Sequence, residues 1–483
     1  MLSAPAAITW LTFFAAAFAI AGMAYARRYR GNLEEYIVAR NSQGSVATIM
    51  TLLASSLGAW ILFSPAQAAT WGGLAAVIGY ALGSMSPRLA MIPLGRRMRE
   101  LMPNGHSLTE FLIARYGRPM YALTLLIMVF YMFIALTAEL TAIGKLVQLL
   151  APVPLWVSAA IVMVATLIYT TYGGLRASIF TDKMQVIIII PLVGALIGLG
   201  WQVTGGIGPV VDRLQETAPR LLDLGDMAGI KAGLTFFFAI LLTGIFHQGN
   251  WQRIYSAKDI PSMRRGFLLG GVLVVPFIFI MGLFGLAFVA LTPGGDDSVA
   301  LFTVILSEMP MWLAIALIPL GIALVMSSVD TGISAISSIV AVDVSRAVPS
   351  ASPARLMRLS RWLVVLMSIP ALFVAAQGYS VLYLFLLADL LCAAAAFPVF
   401  YGLFSRAHDG FSAMAGTLAG LVAGLVMFPM PGQPMTYLLE SFLLAAVVPV
   451  VVIYALRLVR RGNAAFDLES LSGATRKLSE EHF

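Results

Sequence analysis

The chain has 483 residues, of which 60% are hydrophobic and only 11% charged, and its mean hydropathy is +0.91. A water-soluble protein of this length needs far more charge to cover its surface. The net charge of +7 does not point to nucleic acid, because the basic residues fall in short loops between apolar runs, the positive-inside pattern of a membrane protein.

Runs long enough to cross a hydrocarbon core of ~30 Å are predicted at 4–26, 46–71, 73–94, 119–149, 154–172, 180–202, 232–250, 266–292, 310–340, 359–377, 379–404, 411–430 and 436–458. In the first run Ala24-Tyr25-Ala26 imitates a signal-peptidase site. No Lys or Arg precedes it, however, and Arg27, Arg28 and Arg30 follow it, so a retained helix with its N-terminus outside is expected. Alternate loops then carry the positive charge: Arg96–Arg118, Arg176 with Lys183, Arg253–Arg265, Arg346–Arg361, Arg406 and Arg457–Arg461. The intervening loops are neutral, mixed (203–231) or acidic (Asp296, Asp297, Glu308). Thirteen crossings of an inner membrane, N-terminus out and C-terminus in, account for every loop.

The basic loop 95–118 contains Ser107-Leu-Thr-Glu110, a helix-capping box. Loop 203–231 is expected to form a short surface helix. Gly416, Gly420 and Gly424 form a small-residue stripe, read as a packing face within the chain. Segments 1–30, 45–405, 406–461 and 462–483 are read as an N-terminal helix, a transport core, two C-terminal spans and a cytoplasmic tail.

Two spans look interrupted. Leu53–Trp60 and Ser64-Pro65 cluster small polar residues, a glycine and a proline, and Gly244–Trp251 does the same in the seventh span. Backbone groups freed inside a membrane must face protein or a watery cavity, so such breaks mark binding sites. Setting aside the first and last two spans leaves two runs of five, each opened by a broken helix. An odd number of spans per repeat forces the second to be inverted: an all-α, inverted five-helix-repeat core. In the ninth span Ser327, Thr331, Ser334 and Ser338 share one face beside Asp330, whose carboxylate costs ~2.5–3.5 kcal/mol at mid-membrane and is retained for an ion or a partner. Hydroxyls of Ser327 and Ser328, with carbonyls from the break near 54–57, suit sodium, a hard cation.

Other chemistries lack their residues. Cys392 is the single cysteine, the four histidines are scattered, and there is no phosphate-binding Gly-rich loop and no nucleophile–base set, so neither an ATP-driven pump nor an enzyme is expected, and no organic cofactor.

The segments Gly95-Arg-Arg97, Ser107–Gly117, Tyr172–Gln185, Trp251-Gln-Arg253, Ala257-Lys-Asp259 and Met326–Thr331 leading into Asp343 resemble the sodium:solute symporter family, which includes sodium/proline, sodium/glucose and sodium/sialic acid carriers. The resemblance implies a leucine-transporter-type fold and a main sodium site of the Ala54, Leu57 and Leu324 carbonyls with the Ser327 and Ser328 hydroxyls. Leu324 stands where the family usually has a small residue, which a carbonyl ligand tolerates. Some members hold a second sodium at the position of Asp182, and here Asp330 and Thr331 match its partners. Ser56 replaces an acidic residue of the proline carriers, which counts against proline. Ser55, Ser56, Trp60, Gln67, His247, Gln248 and Asp389 are the polar or aromatic groups on the helices expected to line a solute pocket, and fit a small neutral or zwitterionic solute. The expected activity is sodium-coupled uptake by alternating access, for which a monomer suffices. A proton carrier using Asp182 and Asp330, and a non-transporting membrane sensor, are the rivals.

Overall fold

The computed structural model describes residues 2–28, 32–306, 310–348, 351–460 and 465–475. Arg30, Glu308, Arg461 and, of the 462–483 tail, residues 462–464 and 476–483 lie outside these. Regular structure among the described residues is helical, apart from an isolated bridge between Gln43 and Ala257. In chain order the helices are α1 (Ala4–Arg28), α2 (Leu33–Ile37), α3 (Ser45–Ala54), α4 (Ser64–Leu101), α5 (Leu108–Tyr116), α6 (Arg118–Leu150), α7 (Leu155–Val203), α8 (Ile207–Thr217) and α9 (Met227–Gly244). They continue with α10 (Gln248–Ser256), α11 (Ile260–Val272), α12 (Val274–Leu291), α13 (Ala300–Ile305), α14 (Met311–Ala347), α15 (Pro353–Ala375), α16 (Val381–Phe400), α17 (Gly410–Met427) and α18 (Leu438–Val459).

Eleven of the described helical stretches are long and apolar enough to cross a membrane, α11 and α12 counting as one. Two of the eleven are too long for one crossing. The 49 residues of α7 would extend roughly 73 Å at about 1.5 Å per residue, more than twice the hydrocarbon core. Gly174 divides α7 with φ 57° and ψ −149°, and Gly73 divides α4 with φ 61° and ψ −158°. Glycine alone adopts that backbone readily. Neither site has room for a Cβ, which would lie 2.4 Å from the Leu221 carbonyl oxygen at Gly73 and 2.5 Å from that of Tyr36 at Gly174. With both helices divided, and α3 joined to the first turns of α4 as one crossing, the thirteen predicted spans are recovered.

Both expected breaks are present. Helix α3 stops at Ala54, and the chain passes through a 3-10 turn at Ala59–Leu62 before α4 begins at Ser64. Helix α9 stops at Gly244 and α10 resumes at Gln248. The Ser107 box is formed with Glu110, and loop 203–231 folds as α8, with Val210 and Leu214 buried and Asp212, Arg213 and Glu216 exposed.

Glycine sets how closely helices approach. A Cβ on Gly79 of α4 would lie 2.1 Å from the Gly233 carbonyl oxygen of α9, and one on Gly285 of α12 would lie 1.9 Å from that of Ala66. Gly266 meets Thr48 in the same way, tying α11 to α3. These helices form one block. A second is built on α6, α7 and α14, where Gly321 fits against Leu146, with Gly22 of α1 against Tyr169. The Gly416, Gly420 and Gly424 stripe packs on Ala445, Pro449 and Ile453 of α18, an intramolecular contact as expected.

Candidate functional site

The seam between the two blocks carries the polar chemistry. Ending a helix at Ala54 frees its last carbonyls. The Ser327 hydroxyl lies 3.1 Å from the Ala54 carbonyl oxygen and 2.8 Å from that of Leu324, bridging α3 and α14. The neighbouring Ser328 hydroxyl is buried without a hydrogen-bond partner, and Leu57 is fully buried in the non-helical link.

The same place holds a carboxylate that the sequence reading passed over. Glu139 of α6 is buried, and its Oε2 accepts from the Ala59 amide at 2.8 Å. A Cβ on Gly58 would lie 1.9 Å from Glu139 Oε1 and 2.6 Å from Ser328 Oγ, so both oxygens crowd the break. Gly58 thus admits the carboxylate. Its sequence signal was available: an acidic residue near the middle of the apolar run 119–149. Carbonyl, hydroxyl and carboxylate oxygens are together a set that a monovalent hard cation takes.

The residues expected to hold a second cation have a protein partner instead. Arg253 of α10 is fully buried, with Nη2 3.1 Å from Asp182 Oδ2 and 2.9 Å from the Thr331 hydroxyl, and Nε 3.1 Å from that of Thr51. Thr51 also donates to Asp182. Asp330 points elsewhere on α7, accepting from Tyr169, Ser178 and Thr181 at 2.7, 2.8 and 2.9 Å. A guanidinium therefore occupies the space among Asp182, Thr331 and Thr51, and Asp330 is consumed by three hydroxyls.

Beside the break lies a cavity of about 150 Å³, space for on the order of ten waters. Of the predicted solute ligands, Ser55, Ser56, Trp60, His247 and Asp389 line it, joined by Arg88, Glu139 and Ser328. Trp60 closes one side, stacked on Tyr80 with centroids 5.8 Å apart and edge-on to Phe385 at 6.2 Å. His247 Nδ1 accepts from the Gly249 amide at 3.1 Å, which leaves Nε2–H as the donor of a neutral ring. Gln67 and Gln248 lie outside the cavity. Gln67 donates to Asp297 at 3.2 Å and accepts from Ser380 at 2.8 Å, a latch on the less basic end. Gln248 is buried on the basic end, bonded to the His106 carbonyl at 2.9 Å and to the Leu108 amide at 3.2 Å.

His106 organises that basic end. Its ring lies 2.7 Å from Glu34 and 3.2 Å from Glu110, while Arg40 reaches Glu34 at 2.5 Å. Burial alone would push the imidazole pKa down, but hydrogen bonds and charge from Glu110 and Glu34 outweigh it and raise it to about 9. For Glu34 burial works upward and is overcome by His106 and Arg40, which bring it to about 2.

Comparison with known proteins agrees with this architecture. A spermidine transporter of Candida albicans is 26% identical over 434 residues, 87% of this chain and 79% of that protein. The sodium/pantothenate symporter of Escherichia coli is 26% identical over 57% of this chain, and human sodium/glucose cotransporter 4 is 24% identical over 66%. These two alignments span little more than half of each relative, 58% and 52%. Among solved structures, a sodium-coupled sialic acid symporter in a substrate-bound outward-open state superposes with a TM-score of 0.76 at 17% identity, covering 95% of this chain and 99% of that one. MhsT in complex with L-phenylalanine gives 0.53 at 16%. The structural likenesses establish the inverted-repeat fold. The model of the sodium:solute symporter family matches residues 36–420, and the chain belongs to that family.

Proposed function

We propose that the protein is a secondary transporter that couples the inward movement of sodium to uptake of a small organic solute. The observation that carries this reading is the Ser327 hydroxyl, which joins the broken end of α3 to α14 beside the unpartnered Ser328 hydroxyl and the Glu139 carboxylate. Ala54, Leu57 and Leu324 supply carbonyls, Ser327 and Ser328 hydroxyls, and Glu139 the compensating charge for one sodium ion. The basic end faces the cytoplasm and the Gln67–Asp297–Ser380 latch faces outside, in a cell membrane crossed with the N-terminus out. The transport core is 45–405.

Sodium bound from outside holds α3 against α14 and completes the cavity; rocking of one block on the other then opens it inward. One charge crossing ~100 mV gains ~2.3 kcal/mol, and a tenfold gradient adds ~1.4 kcal/mol, which supports a solute gradient of several hundredfold. Relatives are named for spermidine, pantothenate, glucose and urea, so their names do not fix the solute. Proteoliposomes under an inward sodium gradient test the reading: sodium-driven uptake is expected, and its persistence in Ser327→Ala/Ser328→Ala overturns the ion site.

A proton is the second reading, favoured by Glu139, a carboxylate at the seam, and by 22% identity to a rice urea-proton symporter. Uptake driven by a pH gradient without sodium selects it.

A further inference from the structure

We propose that the solute carries a carboxylate, read by Arg88, and an amine or hydroxyl donor at its other end, read by Asp389. This inference rests on the transport reading and deepens it.

Arg88 is a lone basic residue within the apolar run 73–94, and its guanidinium lines the central cavity. Its position is built. The stem lies against Gly271 of α11, where an added Cβ would come within 3.2 Å of Arg88 Cβ, and Nη1 donates to the Ser84 carbonyl at 2.5 Å. Nη2 donates to the Ser56 hydroxyl, at the break in the second span. These contacts fix the plane of the fork but supply no charge. Nε is buried with no acceptor, and no carboxylate among the described residues lies within ion-pair distance.

The contrast with Arg253 is direct. That guanidinium, equally deep in the protein, is neutralised by Asp182. Arginine does not give up its proton, and an uncompensated buried charge is costly. A planar fork with free donors facing a cavity matches a carboxylate in two-point geometry. The counter-charge therefore comes with the ligand.

The same cavity exposes Asp389 on α16, which has no cationic partner among the described residues; Thr243 donates to its backbone carbonyl at 3.2 Å. Tyr131 lines the same cavity, edge-on to His247 with ring centroids 5.9 Å apart. His247 adds a neutral Nε2–H donor, and Trp60 an apolar cover. A solute with separated acceptor and donor ends satisfies both walls. A polyamine, positive at both ends, meets an unpaired guanidinium.

The test uses full-length protein in detergent and a panel of small carboxylates, amino acids and hydroxy acids included, each paired with its amide, and polyamines, all with and without sodium. Thermal unfolding without solute is read first: stabilisation by sodium over potassium reports the ion site by itself, and its absence counts against the transport reading rather than against Arg88. With sodium present, at least one carboxylate is expected to raise Tm while its amide does not. Arg88→Gln is expected to weaken that ligand at least tenfold, and Arg88→Lys, which keeps the charge and loses the fork, to weaken it by less. Asp389→Asn should erode the preference for ligands with an amine or hydroxyl. Amides or polyamines stabilising as well as carboxylates, or no carboxylate stabilising at all, overturns the proposal, and this wild-type comparison holds even if a variant fails to fold.

Discussion

Arg253 Nη2 lies 3.1 Å from Asp182 Oδ2, with both side chains fully buried. The pair joins α10 to α7 across the seam, and the same guanidinium contacts Asp182 and Thr331, two of the three residues of the candidate second cation site. Sodium activation of uptake should accordingly be hyperbolic rather than sigmoidal, as read from initial rates against sodium concentration.

The same pair predicts a stability pattern. Arg253→Ala leaves Asp182 buried without its counter-charge, a change that costs about 3–5 kcal/mol. The protein should unfold at clearly lower temperature, and Asp182→Asn combined with Arg253→Gln should recover part of the loss. Equal thermal stability of the single and double variants would show the two residues to be uncoupled.

At the proposed ion site, Ser328→Ala removes a buried hydroxyl that sits beside Glu139 at the helix break. Half-maximal uptake should require at least tenfold more sodium, about 1.4 kcal/mol, with folding unharmed. Gly58→Ala should be more severe, because its Cβ would fall 1.9 Å from a Glu139 oxygen. Uptake lost at every sodium concentration is expected there.

The His106 node predicts a pH dependence. A pKa raised from 6.5 to about 9 means that its contribution is complete below pH 6.5 and lost as pH rises through 9. The difference is on the order of 3 kcal/mol. Glu34 acts in the opposite direction: lowered from 4.5 to about 2, it stabilises above pH 4.5 and is lost as pH falls through 2. Wild-type stability should decline between pH 6.5 and 9, and His106→Gln should flatten that decline. An identical slope in both proteins would remove His106 from the account.

Gln67 predicts a change in access. Its bonds to Asp297 and Ser380 tie together three segments at the less basic end, each worth about 0.5–1.5 kcal/mol. In a Cys392→Ala background, Ser55→Cys should react several-fold faster with a membrane-impermeant thiol reagent once Gln67 is replaced by Ala.

Much of this was legible beforehand, because hydropathy and loop charge are local properties. The spans, both breaks and the Ser107 box needed only neighbouring residues. The cradle at Ser327 also followed, since small polar residues beside a helix break advertise it. Glu139 and Arg88 are equally legible by the rule applied to Asp330, a charge inside an apolar run. The fate of Asp182 and Asp330 was different in kind. Nothing local to either reveals that Arg253, on the other side of the seam, reaches the first, or that Tyr169, Ser178 and Thr181 close around the second. Gln67 and Gln248 misled for a related reason: polar residues on the right helices lie above and below the cavity as well as in it, and the sequence does not give depth.

The glycine contacts and the hydroxyl contacts divide the molecule unequally. Where Gly79 meets Gly233 and Gly285 meets Ala66, backbone touches backbone, and any sliding costs a steric clash. Across the seam, apart from the Arg253–Asp182 ion pair, Ser327, Thr51 and Thr331 meet their partners through single hydrogen bonds, which water or an ion can replace one at a time. The cheapest internal motion is therefore a parting along one plane, and the proposed ion site lies on that plane like a pin through a joint. Such a joint is loosened indirectly: a bulkier residue at Gly79 or Gly285, neither of which lines the cavity, should uncouple the two halves of the cycle while leaving every ligand in place.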